Sequence, residues 1–164
     1  MQAWQVLELL DAFDRAGIRV WIGGGWAVDA VVGRQTRDHG DLDLAVDAAR
    51  LDALLGLLGE HGFRATVDWL PSRVELTASD GRRVDVHPVE FRPDGSGVQA
   101  GYGGPPFKYP ADGFARGTID GRPVPCLSVA QQLRFREGYP PRDVDVHDVA
   151  LLQSVLRVQY PYGS

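Results

Sequence analysis

Two aspartates one residue apart, Asp41-Leu42-Asp43, are the first residues in this chain whose spacing suggests chemistry. The stretch from Leu42 to Val46 alternates strictly and predicts a strand. On a strand, residues i and i+2 share a face, so the two carboxylates stand side by side. Like charges at that range are unfavourable unless something positive sits between them. Further on, Arg83-Val84-Asp85-Val86-His87-Pro88-Val89 alternates in the same way, with Asp85 and His87 on one face and Val84, Val86 and Val89 toward the core. Upstream, an apolar run ends abruptly in Gly23-Gly24-Gly25, where bare backbone can approach a ligand and aim N–H groups at phosphate oxygens. Taken alone, the glycines read as a tight strand-to-helix turn and the Asp pair as a solvated strand end. If the strands are adjacent, these acids with Asp85 beside the glycine turn would have the layout that a two-magnesium phosphoryl-transfer site requires, because magnesium is hard and prefers carboxylate oxygen. Neither the dinucleotide GxGxxG nor the Walker GxxxxGK[ST] spacing is present. A metallohydrolase built on His39, His87 and Asp85 lacks any compact ligand spacing such as HExxH.

Regular elements must hold these groups in place. Val6, Leu9, Leu10 and Phe13 fall at i, i+3, i+4 and i+7, which predicts an amphipathic helix ending near Gly17. Residues 18–22 predict a strand, 26–32 a helix stopped by Gly33, and 34–40 a polar loop. Leu51, Leu54, Leu55 and Leu58 mark a second amphipathic helix. Three strands follow, Phe63–Trp69, Arg73–Ala78 and Arg83–Phe91, with Ser79-Asp80-Gly81 turning between the last two. Residues 92–113 are rich in Gly, Pro and Tyr and predict a long functional loop with little regular structure. A hairpin at Asp120-Gly121, a helix from Ser128 and a helix over 143–158 close the chain. This order predicts an α/β (α+β) fold, a mixed sheet with helices on one side. One domain spans 1–164, with a core over 1–100 and a C-terminal hairpin and helices over 114–160.

The bulk properties narrow the partners. The chain has 164 residues, 44% hydrophobic and 24% charged, as befits a globular domain. Its formal net charge of -5, with no run of Lys and Arg, argues against DNA or RNA as a partner. The single cysteine, Cys126, excludes an internal disulfide and suits a reducing compartment. The N-terminal apolar residues are spaced as a helix face and interrupted by acids, unlike a signal peptide. No stretch approaches the ~20 apolar residues of a membrane span. These features predict a cytoplasmic protein with no membrane partner.

The order of glycine turn, DxD and downstream strand aspartate resembles the DNA polymerase β-like nucleotidyltransferase superfamily. Within it, GGGWAVDAVVGRQTRDHGDLDL resembles the antibiotic-inactivating branch, both the aminoglycoside and the lincosamide enzymes. DWLPSRVEL, VDVHPVEFRPDGSGVQA, PCLSVAQQLRFREGY and Asp145-Val146-His147-Asp148 are more similar to the lincosamide type, so the likeness covers almost the whole chain. The resemblance implies magnesium-dependent transfer of a nucleoside monophosphate from an NTP to a small-molecule hydroxyl, releasing pyrophosphate. It implies that Asp41, Asp43 and Asp85 bind two Mg2+ ions and that Gly24 and Gly25 contact the triphosphate, with Gly23 uncertain. Arg37 and His39 could meet the phosphates or pair with nearby acids such as Asp38. The general base is left open among Asp85, His87 and Glu75, and Glu75 could instead hold a substrate amine or pair with Arg73 or Arg82. Tyr102, Phe107, Lys108 and Tyr109 could line an acceptor or nucleobase pocket. Asp29 is expected to satisfy Arg34 or Arg37, Trp26 to be core, and Asp143 and His147 to serve a helix N-terminus. Rival acceptors are an aminoglycoside, a metabolite or a protein side chain, and a rival class is an inactive nucleotide-binding module. Whether a homodimer completes the site stays open.

Overall fold

The computed structural model describes residues 1–159, so residues 160–164, where the expected domain and its C-terminal segment end, lie outside the described residues. The chain runs α1 (Ala3–Arg15), β1 (Val20–Gly23), α2 (Gly24–Val32), β2 (Asp41–Asp47) and α3 (Leu51–Glu60). Then come β3 (Phe63–Trp69), β4 (Arg73–Ala78), β5 (Arg83–Phe91), β6 (Gly97–Gln99) and β7 (Phe107–Tyr109). It closes with β8 (Phe114–Ile119), β9 (Arg122–Leu127), α4 (Val129–Arg134) and α5 (Asp143–Gln159).

The main sheet has the order β3-β4-β5-β2-β1-β9-β8, and β6 joins β5 and β7 beside it. It is mixed: β2 runs parallel to β5 and β1 parallel to β9, while the other pairs are antiparallel. Period-two alternation then sorts the side chains. Leu42, Leu44, Val84 and Val86 turn to one face and enter the main core with Val6, Phe13, Trp26, Leu54 and Leu58 from α1, α2 and α3. Burying each large aliphatic or aromatic side chain there contributes roughly 1.5–3 kcal/mol. The opposite face keeps the odd-numbered residues of β2 and β5. Val89, odd-numbered like Asp85 and His87, belongs to this second face, as alternation requires, and not to the main core expected of it from the sequence. It packs with Ala45, Tyr109 and Leu127. The helices α4 and α5 are anchored to α2 through Val28, Val129 and Leu152, which brings the C-terminal segment over the glycine turn.

Local structure departs from the sequence reading in three places. The first strand begins at Val20, because Ile18 N–H still donates to Phe13 O and closes the end of α1. The helix after the strand starts at Gly24, two residues earlier than the sequence suggests. The segment 92–113 is not structureless: β6 and β7 pair there, and Gly97 sits so close to Val89 and Phe91 that a side chain would collide. No helix among the described residues is long and apolar enough to cross a membrane.

Candidate active site

The parallel pairing of β2 and β5 decides the centre of the site. It sets Asp43 directly opposite Asp85, Asp41 opposite Arg83, and Ala45 opposite His87. One strand further, antiparallel β4 sets Glu75 opposite Asp85. Asp43, Asp85 and His87 thus present ligand atoms within 4.8 Å of one another. They border a cavity of ≈ 740 Å³ that also reaches Asp41, the three glycines and the C-terminal helices.

Electrostatics at this centre are strained in the manner expected of crowded acids. Burial pushes the Asp85 carboxyl above its usual range, and Asp43 adds to that, while His87 and Arg73 pull it back. Burial and then the Asp43 charge raise Asp41 as well. For His87, burial works against the charged ring, but the Asp43 contact and the charges of Asp43 and Asp85 more than offset it. Its Nε2 lies 3.4 Å from Asp43 Oδ1 and 3.7 Å from Asp85 Oδ2. Arg73 answers these acids with an ion pair: its Nη1 donates to Asp85 Oδ2 at 2.7 Å. The other Asp85 oxygen, Oδ1, is buried with no hydrogen-bond partner among the described residues. An orphaned carboxylate oxygen beside a second aspartate is a donor set that a hard divalent cation satisfies, so the residues present fit magnesium.

The glycine turn meets this centre edge to edge. Gly24 adopts φ +58, and a Cβ there would sit 2.8 Å from Asp43 Cγ and closer still to Oδ2. Only glycine lets the strand end lie against the carboxylate. A Cβ at Gly25 would fall 2.5 Å from both Arg37 Nη2 and His39 Nδ1. The start of α2, with its free N–H groups, therefore faces the same cavity as the acids.

The other predicted residues divide. Arg37 lines the cavity and is steered by Asp148, whose Oδ2 lies 3.2 Å from its Nη2. His39 does not line it. It is buried, hydrogen-bonds Asp29 through Nε2, and rests against Trp26 with ring centroids 4.6 Å apart. Asp29 pairs with His39 and Thr36 rather than with Arg34 or Arg37, and these two bonds lower its pKa despite the opposing effect of burial. Trp26 is core, as expected. His147 bonds Thr36 Oγ1 at 3.0 Å, tying α5 to the loop before β2. Tyr102, Phe107 and Tyr109 line the cavity. Lys108 is absent from the wall: on β7 its neighbours point inward and it points out, exposed. Glu75 also stays off the wall, 4.0 Å from Arg73 on its own strand.

Several cavity residues carried no sequence signal strong enough to single them out. Trp69 stacks on Tyr102 with centroids 4.7 Å apart, and the Arg73 guanidinium lies 4.4 Å from the Trp69 ring centre. Arg73 could have been found, since it alternates with Glu75 in SRVEL. Arg136 donates to Asp148 at 3.0 Å and stands beside Arg37, though the two are far apart in sequence. Gln99, in the segment read as loop, donates to both Ser72 O at 2.9 Å and His87 Nδ1 at 3.0 Å.

Comparison with known proteins agrees with this geometry. The pattern of the aminoglycoside-2''-adenylyltransferase family matches residues 5–152. A lincosamide resistance protein of Staphylococcus haemolyticus is 33% identical, covering 92% of this chain and 94% of its own length. A 2''-aminoglycoside nucleotidyltransferase of Klebsiella pneumoniae is also 33% identical, over 87% of this chain and 78% of its own. Among solved structures, a lincosamide antibiotic adenylyltransferase with lincomycin bound superimposes with a TM-score of 0.85 at 32% identity, covering 94% of this chain and 98% of the other.

Proposed function

Since the chain belongs to the aminoglycoside-2''-adenylyltransferase family, and is a nucleotidyltransferase of that kind, we propose that it moves a nucleoside monophosphate from an NTP to a sugar hydroxyl of a lincosamide-type antibiotic. The observation that carries this is the register of β2 and β5, with Asp43 opposite Asp85 at the edge of the glycine turn and within one cavity. Asp41, Asp43 and Asp85 would hold magnesium, two ions on the superfamily pattern, and the bound metal would neutralise charge on the phosphate oxygens.

The chain's own residues do the rest. The start of α2 and the pair Arg37 and Arg136 offer N–H groups and positive charge to the triphosphate, both arginines being held by Asp148. The acceptor hydroxyl attacks the α-phosphorus, the bond from that phosphorus to the bridging oxygen breaks, and pyrophosphate leaves. Asp85, a carboxylate on the cavity wall opposite Asp43, takes the hydroxyl proton. Positioning supplies much of the acceleration. The transfer uses cellular NTP, which suits a cytoplasmic enzyme.

The acceptor wall favours a lincosamide over an aminoglycoside. A lincosamide brings sugar hydroxyls, apolar ring surface and one basic amine, and the stacked Trp69 and Tyr102 offer a flat apolar wall for those rings. A polycationic aminoglycoside needs unengaged carboxylates. Here Asp145 is held by Arg142, and Asp148 by Arg37 and Arg136. The test is mass spectrometry of lincomycin, clindamycin and an aminoglycoside, each incubated with the protein, magnesium and each of the four NTPs. A nucleotide adduct on the lincosamides is expected. An adduct on the aminoglycoside alone refutes the lincosamide assignment, and none on any acceptor refutes the transferase reading.

A further inference from the structure

Behind His87 lies a buried polar chain that the reaction as derived does not use. Gln99, Ser72 and Tyr109 are 4%, 3% and 3% exposed. Gln99 Nε2 lies 2.9 Å from the carbonyl oxygen of Ser72 and 3.0 Å from His87 Nδ1, and Tyr109 donates its hydroxyl proton to Gln99 Oε1 at 2.6 Å.

The orientation of the Gln99 amide follows from its partners. A backbone carbonyl can only accept, so the amide group facing Ser72 O must be the NH2. That same nitrogen faces His87 Nδ1 with its second hydrogen. Flipping the amide would set Oε1 against the Ser72 carbonyl at the same 2.9 Å, oxygen against oxygen in a buried site, and would strip the Tyr109 hydroxyl of its acceptor. His87 Nδ1 must therefore accept, and the neutral ring carries its hydrogen on Nε2. That hydrogen faces Asp43 Oδ1 and Asp85 Oδ2.

We propose that Gln99 is a positioning residue that locks His87 as the Nε2–H tautomer, so that the imidazole serves the site as a hydrogen-bond donor and neither removes the acceptor's proton nor ligates metal. With Nδ1 engaged by Gln99 and Nε2 carrying a hydrogen, the neutral ring has no free lone pair for either task. What it can do is hold the carboxylate oxygens of Asp43 and Asp85 in register, or donate to an oxygen bound between them. The three metal-binding groups are then the carboxylates alone, and the proton acceptor is a carboxylate. The lock also explains why a glutamine is buried in a segment otherwise rich in Gly and Pro.

The assignment of the proton stands without the proposed function; only its effect on rate rests on that reading. The test is long-range 1H–15N correlation spectroscopy of the histidine side chains at alkaline pH, where the rings are neutral, with His87→Ala identifying the His87 signals. In the wild-type protein, without ligands, His87 is expected to show the Nε2–H pattern. Gln99→Met, which keeps the volume but removes the donor, is expected to lose that single pattern. It should also lower kcat by about 10- to 100-fold, as removal of an outer-shell partner does, with KM for NTP changed by less than about threefold. An Nδ1–H pattern in the wild-type protein overturns the proposal without need of any variant. A Gln99→Met protein that keeps the Nε2–H pattern also overturns it, as does one that loses the pattern at unchanged kcat. Loss of nucleotide transfer in the wild-type protein would instead touch only the function, leaving the spectrum to be read by itself.

Discussion

Replacing Gly24 with alanine isolates the contact between the glycine turn and the metal-binding acids. Two effects add at this position. The backbone has φ +58, a left-handed conformation that is roughly 1–2 kcal/mol less favourable for an L-residue with a Cβ. The new methyl would also stand 2.8 Å from Asp43 Cγ, against a normal carbon–carbon separation of about 3.5–4.0 Å. The carboxylate must retreat by about 0.7–1.2 Å, since the turn itself is pinned by β1 and α2. The strain predicts a melting temperature lower by about 2–8 °C, at about 2–4 °C per kcal/mol for a chain of this size. The displacement predicts a much larger functional loss, about 10²-fold or more in pyrophosphate release, because misplacing a reacting group by about 1 Å has that effect. Gly23→Ala is the internal control. Gly23 has φ -112, and its Cβ would meet Leu127 Cδ1 at 3.5 Å and Asp43 Cβ at 3.6 Å, which is ordinary contact. It should keep turnover within about threefold and fold normally. Both variants go through thermal melts and a continuous pyrophosphate assay at saturating NTP, magnesium and acceptor. If Gly24→Ala retains half the wild-type turnover, the close approach is not what the site depends on. Equal losses in the two variants would likewise refute the steric reasoning.

The remaining expectations are shorter. Asp41→Asn and Asp43→Asn should each abolish pyrophosphate release while the ligand-free protein melts no lower, and higher for Asp41, whose carboxyl is held above its usual range by burial and Asp43; a variant with wild-type turnover would remove that residue from the metal site. The Arg142 hydrogen bond, more than offsetting burial, holds Asp145 down at about 2, below its unfolded value of about 3.9. A depressed carboxylate contributes stability that is present above the unfolded pKa and lost as pH falls through the folded one. Thermal melts should therefore show Arg142→Gln less stable than wild type at neutral pH, with the gap closing between about pH 4 and 2; a gap that widens in acid contradicts the assignment. Trp69→Ala removes the stacking partner of Tyr102 and the surface under Arg73. Steady-state kinetics should then show KM for the lincosamide rising by about threefold to tenfold, the equivalent of the roughly 0.5–1.5 kcal/mol of an aromatic contact, with KM for NTP nearly unchanged; an effect confined to NTP would move the acceptor elsewhere.

Much of the fold was legible because its signals are local. Alternation in Leu42 to Val46 and Arg83 to Val89 marks two strands, and the leucine spacing after Leu51 marks a helix, from period alone. The short strands β6 and β7 escaped this reading. Three-residue strands flanked by glycine and proline show no period; β6 exists because the end of β5 offers it an edge, and β7 because β6 does. Val89 breaks the expectation that every valine of β5 joins the main core: its parity puts it on the face of Asp85 and His87, where the aromatic cluster with Tyr109 buries it in a second apolar group.

For the site, the sequence by itself determined the chemical inventory: three carboxylates and a histidine on alternating strands, and glycines where backbone must approach them. Residue type and period are properties of a short window, so they survive without the fold. Only the tertiary structure decided which groups meet. Parallel pairing set Asp43 against Asp85, and α5 carried Asp148 to Arg37 and Arg136. The turn of β7 withdrew Lys108 from the cavity, and burial took His39 into the support of the loop. Register, strand order and helix docking depend on contacts between segments far apart in the chain. No local pattern of residues encodes them, because their energy comes from surfaces that exist only once the sheet has formed.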